Sequence, residues 1–167
     1  EEHRSGTAGA WRQAFLRMPY WRDPAVGNGL IMDTFETATT WDRFEAFYKG
    51  VRKDVAQAVQ QATGHPAFVS CRFTHIYPDG PAPYFTIAAL GSAQGDVASA
   101  LAAWREIKQA ANEAVIKHGG TITHHHAVGR DHRPGYEQET PPLYRQMLQA
   151  AKASVDPQGI LNPGVLI

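Results

Sequence analysis

Apolar positions recur along the chain with two different periods, and the switches between them predict its elements. Trp11, Phe15 and Met18, at spacings of four and three, predict a short helix over residues 10–18 that Pro19 closes. Residues 30–39 alternate instead, as a strand does. Leu30, Met32, Thr34 and Glu36 share one face, and Ile31, Asp33, Phe35 and Thr37 share the other. Phe44, Phe47, Tyr48, Val51, Val55, Val59 and Ala62 then follow at steps of three and four. They predict an amphipathic helix that Thr39 or Thr40 caps and Gly64 ends. Residues 67–77 read as a second strand, Pro78-Asp79-Gly80-Pro81 as a turn, and residues 84–90 as a third strand returning beside the second. After a loop at 91–95, a long helix over 96–117 presents Val97, Leu101, Trp104, Ile107, Ala111 and Val115 to the core. Gly119-Gly120 ends it, and residues 121–126 read as a fourth strand. The polar stretch 129–140 reads as a loop holding His132 and Tyr136. A last helix opens at Pro141-Pro142 and buries Leu143, Met147, Ala150, Ala151 and Val155. Residues 1–9 read as a frayed lead-in and residues 160–167 as an extended apolar tail.

The order strand-helix-strand-strand-helix-strand-helix predicts an α+β domain: an antiparallel sheet with helices packed on one face. At 167 residues, 43% of them hydrophobic, the chain suffices for one domain with one core. Sixteen basic residues balance sixteen acidic ones, so no net field draws the protein to nucleic acid or an anionic membrane. The single cysteine, Cys71, leaves no internal disulfide and suits a reducing, cytoplasmic compartment. No apolar run approaches the roughly 20 residues that span a bilayer, and no signal peptide is visible. The chain opens at Glu1 rather than a methionine, as a fragment or processed chain would.

Candidate chemistry gathers at Gly119-Gly120-Thr121-Ile122-Thr123-His124-His125-His126-Ala127-Val128-Gly129. On a strand, His124 and His126 point to one face and His125 to the other. Three readings stay open. A zinc site needs three or four convergent ligands, which adjacent strand residues do not supply. A structural role would have the rings bonding backbone at a strand end. Acid-base chemistry suits imidazole, whose ordinary pKa near 6.5 lies close to neutral pH. Two charged residues have plain alternatives: Arg22 as a surface cation stacked on Trp21, and Glu36 as a strand-end carboxylate paired with Arg43 or solvated. No glycine-rich phosphate loop, nucleophile elbow or carboxylate pair appears, so any redox cofactor comes from outside this chain.

Five stretches, in order, resemble a known family: Pro19-Tyr20-Trp21-Arg22-Asp23, Phe35-Glu36-Thr37 with Trp41-Asp42-Arg43, Cys71-Arg72-Phe73-Thr74, the histidine run with its glycine flanks, and Asp156-Pro157. From Trp11 onward the chain resembles the C-terminal, substrate-binding half of FAD-linked oxidases of the vanillyl-alcohol oxidase type, and most of all an ether-lipid-forming synthase branch. The resemblance implies that residues 1–167 form a single cap domain. It implies FAD, held mainly by an N-terminal domain upstream, and a small anionic substrate. It implies Arg22 as the grip on the substrate's anionic head, and Tyr84, His124, His125 and His126 as the catalytic acid-base groups. A homodimer and membrane contact stay open. Two departures bear on the branch. Thr86 stands where the synthases carry a second tyrosine, and Gly159-Ile160-Leu161-Asn162-Pro163-Gly164 resembles the lactate and glycolate dehydrogenase branch. The alternatives are therefore the cap of a D-2-hydroxy-acid dehydrogenase, a non-catalytic α+β ligand-binding domain, and a metal-dependent hydrolase.

Overall fold

Phe35 and Phe85 stack across neighbouring strands, ring centroids 4.8 Å apart and planes 10° from parallel, and the core is built around them. The computed structural model describes residues 6–91 and 96–167, except the side chains of Ala8, Phe15 and Pro19. Most of the lead-in and of the 91–95 loop therefore lie outside the described residues, as does the side chain of Phe15.

Three strands, β1 (Leu30–Glu36), β2 (Phe68–Ile76) and β3 (Pro81–Leu90), form an antiparallel sheet in the order β1-β3-β2. Five helices are described: α1 (Gly6–Gly27), α2 (Trp41–Thr63), α3 (Val97–Lys117), α4 (Gly129–Glu139) and α5 (Pro142–Val155). The expected α+β class and antiparallel sheet are what the chain forms. Register sorts the strand residues into two faces. Ile31, Phe35, Val69, Phe85, Ile87 and Ala89 turn inward and close one cluster with Phe47, Val51, Val55 and Val59 of α2 and Ile107, Ala111 and Val115 of α3. On the outer face Glu36, Tyr84 and Arg72 are cross-strand partners in one row, and Met32, Ala88 and Phe68 in another.

Four expectations differ from the structure. The helix predicted to stop at Pro19 continues to Gly27. Its side chains at Trp11, Leu16, Met18, Tyr20 and Trp21 are exposed, so water can reach the carbonyl that a proline leaves unbonded. Residues 121–126 form no strand. Thr121 N–H bonds Ala38 O (3.1 Å) and His124 N–H bonds Glu36 O (3.0 Å), but left-handed backbone at His125 and Ala127, both φ 60°, breaks the extended run. Residues 129–139 are helical rather than a loop. Arg133 Nε donates to Glu137 Oε1 (2.7 Å) and Asn112 Nδ2 of α3 donates to Asp131 O (2.6 Å), so polar contacts hold α4 where periodicity shows little. Two apolar stripes are partly uncovered: Leu143, Met147 and Val155 on α5, and Val97 and Leu101 at the start of α3, are exposed, not buried. An apolar stripe reports a face, not what covers it.

A glycine flank fits the histidine segment to this frame. A Cβ on Gly120 would lie 2.5 Å from Phe47 Cε2 and 2.7 Å from Thr37 Oγ1, so only glycine passes between the core and β1. Truncating the centre of the core tests the packing argument. Phe85→Ala is expected to lower unfolding stability by about 3–5 kcal/mol, read as a fall in the urea midpoint; a midpoint near wild type would show that the Phe35 stack is not the core's anchor.

Candidate active site

Glu36 ends β1 on the outer face, yet it is only 4% exposed. Its Oε1 accepts from the Thr74 hydroxyl and from His124 Nδ1 (3.3 Å), with His75 Nδ1 at 3.6 Å. Its Oε2 faces His126 Nε2 at 3.5 Å. Burial pushes the Glu36 carboxyl up, but the Thr74 and His124 hydrogen bonds, and the charge that His124 and His126 carry once protonated in the carboxylate range, outweigh it and leave the pKa below its ordinary 4.5. Glu36 is therefore an ionised, acceptor-only centre for three imidazoles, not a partner of Arg43 and not solvated.

Each imidazole arrives by a separate local device. His75 is delivered by a β-bulge: the β2–β3 register slips between Phe73, opposite Pro83, and His75, opposite Ala82. Without the extra residue, strand parity would turn His75 to the helix face. His124 is set by its backbone bond to Glu36 O and by the Glu139 carboxylate of α4, which accepts from Ile122 N–H at 2.8 Å and from the Thr121 hydroxyl at 3.1 Å. His125, turned by its left-handed backbone, stacks on His75 at 4.5 Å and meets His124 edge-on at 4.2 Å. Ala127 also takes φ 60°, where an L residue costs roughly 1–2 kcal/mol.

His126 approaches the Tyr84 ring edge-on, centroids 5.3 Å apart. Burial lowers its pKa from 6.5, the charges of Lys108 and His132 act in the same sense, and Glu36 and Asp33 oppose. The guanidinium of Arg72 lies 4.4 Å from the centre of the Tyr84 ring. On the other arm, the Tyr77 hydroxyl meets His124 Nε2 at 3.1 Å.

Tyr84, His124, His125 and His126 thus come together. Arg22 does not join them. It is exposed on α1, 3.9 Å from Asp23, and shares an apolar pocket with Leu30 and Met32 at the opposite end of β1 from Glu36, roughly 20 Å along the strand. The cation that stands over Tyr84 is Arg72. Sequence reasoning also passed over Thr74, His75 and Tyr77. Thr74 was accessible in principle, since it belongs to the resembling stretch; His75 was not, because no residue pattern announces the bulge. Nitrogens of His75, His124 and His125 lie within 4.8 Å of one another, closer than a strand would bring them. His124, however, is engaged at both nitrogens by Glu36 and Tyr77, which leaves two imidazoles for a metal that wants three or four ligands. The arrangement is a hydrogen-bonded acid-base cluster.

The chain belongs to the family described as FAD linked oxidases, C-terminal domain, whose model matches residues 1–166. Its relatives include alkyldihydroxyacetonephosphate synthases from Trypanosoma brucei brucei, 28% identical over 157 residues (94% of this chain, 25% of that protein), and from Caenorhabditis elegans, 30% identical over 149 residues (89% and 24%). A synthase from Dictyostelium discoideum is 26% identical over 157 residues, 94% of this chain and 25% of that protein. A solved alkyldihydroxyacetonephosphate synthase shares the fold, with TM-score 0.62 and 19% identity over 95% of this chain and 24% of that one. The chain thus spans about a quarter of these relatives.

Both shifted groups make stability fall with acid. His126 binds its proton less tightly folded than unfolded, so its contribution is complete above 6.5 and lost as pH falls below that value. Glu36 sits below 4.5 when folded, so its contribution is complete above 4.5 and lost as pH falls through the folded value. The urea midpoint is expected to drop between about pH 7 and about pH 5.5, and again below the carboxylate range. His126→Asn should shrink the first drop and spare the second; a midpoint that rises on acidification contradicts both assignments.

Proposed function

We propose that this chain is the substrate-facing cap of an FAD-dependent enzyme of the alkyldihydroxyacetonephosphate synthase kind. The observation that carries this reading is the outer-face row of Glu36, Tyr84 and Arg72 with three histidines gathered at its end, in a chain of the FAD-linked oxidase family. The residues suit one part of the cofactor. The outer face pairs proton-handling groups with the exposed apolar Met32, Phe68 and Leu90, a surface that fits against a flat aromatic ring system. Nothing in the sequence cradles a pyrophosphate, which agrees with a separate FAD-binding domain upstream as the main holder. Flavin, when bound, supplies the two-electron chemistry.

This chain's part is proton handling. Tyr84 exchanges a proton at a substrate carbon or hydroxyl, and Arg72 over its ring stabilises the phenolate as charge develops. His126, kept neutral by its partial burial, accepts a proton beside Tyr84. His125 offers an exposed imidazole on the same face. Arg22 as the grip on an anionic head rests on the resemblance alone. The relatives' names favour synthase chemistry on an acyl-dihydroxyacetone phosphate over 2-hydroxy-acid oxidation. Burial pushes the Cys71 thiol up to about 11, so it packs rather than reacts, and a lone unpaired thiol accords with a reducing, cytoplasmic compartment. No described helix is long and apolar enough to cross a membrane.

The test uses the full-length protein. Tyr84→Phe and His125→Ala should each lower kcat about 100-fold or more while bound flavin, read from its visible absorbance, stays at the wild-type level. A full-length protein that neither contains nor takes up FAD overturns the reading. Turnover of a 2-hydroxy acid but not of acyl-dihydroxyacetone phosphate would move the chain to the dehydrogenase branch.

A further inference from the structure

We propose that Glu36, His124 and Tyr77 form a proton relay in which the Tyr77 hydroxyl is a second acid-base group, distinct from Tyr84. The relay rests on the reading of this face as the acid-base surface of a flavoenzyme. One buried carboxylate serves two imidazole-phenol arms. Glu36 Oε2 faces His126, which touches Tyr84 only ring edge to ring, whereas Oε1 takes the His124 hydrogen bond and His124 in turn contacts the Tyr77 hydroxyl. Only the second arm is hydrogen-bonded from end to end.

With His124 neutral, the resting state of the relay, the donors and acceptors on that arm leave one arrangement. An ionised carboxylate only accepts, so His124 Nδ1, 3.3 Å from Glu36, carries a hydrogen. The neutral ring then has its lone pair on Nε2, and the Tyr77 O–H, 3.1 Å away, donates to it. When the relay fires, the Tyr77 O–H bond breaks and an N–H bond forms at His124 Nε2. The resulting imidazolium is held by Glu36, and the phenolate oxygen pair takes a proton from the substrate. No electron enters or leaves: one substrate proton ends on His124, and the reverse sequence returns it. Glu36 acts through His124 and is a positioning residue; Tyr77 is the group that meets substrate.

Tyr77 is held in place and can be reached. Trp41 Nε1 donates to its carbonyl at 3.0 Å, its N–H bonds Gly80 O at 2.9 Å, and its ring lies parallel to His75 with centroids 6.0 Å apart. It is 39% exposed and lines a cleft of about 280 Å³ together with Arg43 and Thr39. Among the described residues the buried Thr39 hydroxyl has no hydrogen-bond partner. A cation and an unpartnered hydroxyl beside an acid-base phenol suit the head of an anionic, oxygen-rich substrate.

The test again uses the full-length protein and has an arm that needs no turnover. Diethyl pyrocarbonate acylates a free imidazole lone pair, and tandem mass spectrometry can resolve the three adjacent histidines. Tyr77→Phe uncovers Nε2, so His124 should react several-fold faster while exposed His65 is unchanged. In turnover of acyl-dihydroxyacetone phosphate, Tyr77→Phe and Glu36→Gln should each lower kcat by about 100-fold with KM and flavin content held, and the double variant should lose no more than either. An unchanged His124 rate, a wild-type kcat for Tyr77→Phe, or losses that multiply overturn the relay. Should Tyr84→Phe and His125→Ala keep full activity while His124 still responds to Tyr77→Phe, the wider acid-base reading fails and the hydrogen-bonded arm stands.

Discussion

One buried negative charge organises this chain's chemistry. Glu36 sits at the end of a strand, almost sealed from water, where an isolated carboxylate would be protonated or displaced. The Thr74 hydroxyl and the His124 and His126 imidazoles reverse the balance, so the charge persists. The constraint runs the other way as well. His75, His124 and His126 come from a bulged strand and an irregular segment far along the chain, and the carboxylate is the one group all three share. Removing it would take from His124 its hydrogen-bond acceptor and from His75 and His126 the charge they face, which costs more than any single contact gains.

The sheet divides the labour. Its inner face is a closed core, centred on Phe35 and Phe85 and sealed by α2 and α3. Its outer face runs from a polar row at Glu36, Tyr84 and Arg72 to exposed Met32, Phe68 and Leu90. The chain spans about a quarter of its relatives and carries titratable groups beside uncovered apolar surface on this face. Exposed Trp11, Tyr20 and Trp21 on α1 and Leu143 and Met147 on α5 agree with further burial in the whole protein.

Much of the scaffold was legible because its signals are local. The alternation of residues 30–36, the stripe from Phe47 to Val59 and the turn at Pro78-Asp79-Gly80 each need only neighbours to be read. The misses share a cause. Residues 129–139 look like a loop because their helix is held by charges and by Asn112 rather than by an apolar stripe. The triplet looks like a strand because nothing in its composition signals left-handed backbone at His125 and Ala127.

By itself the sequence determined the three core strands, the two core helices, and the residue types available for proton transfer, because pattern and chemistry are carried by adjacent positions. Only the tertiary structure decided which of those residues meet. A one-residue bulge flipped His75 to the outer face, two left-handed residues folded the triplet onto Glu36, and the length of β1 kept Arg22 away while bringing Arg72 over Tyr84. Contacts between residues dozens of positions apart depend on register and backbone handedness, and those are settled by the packing of the whole domain.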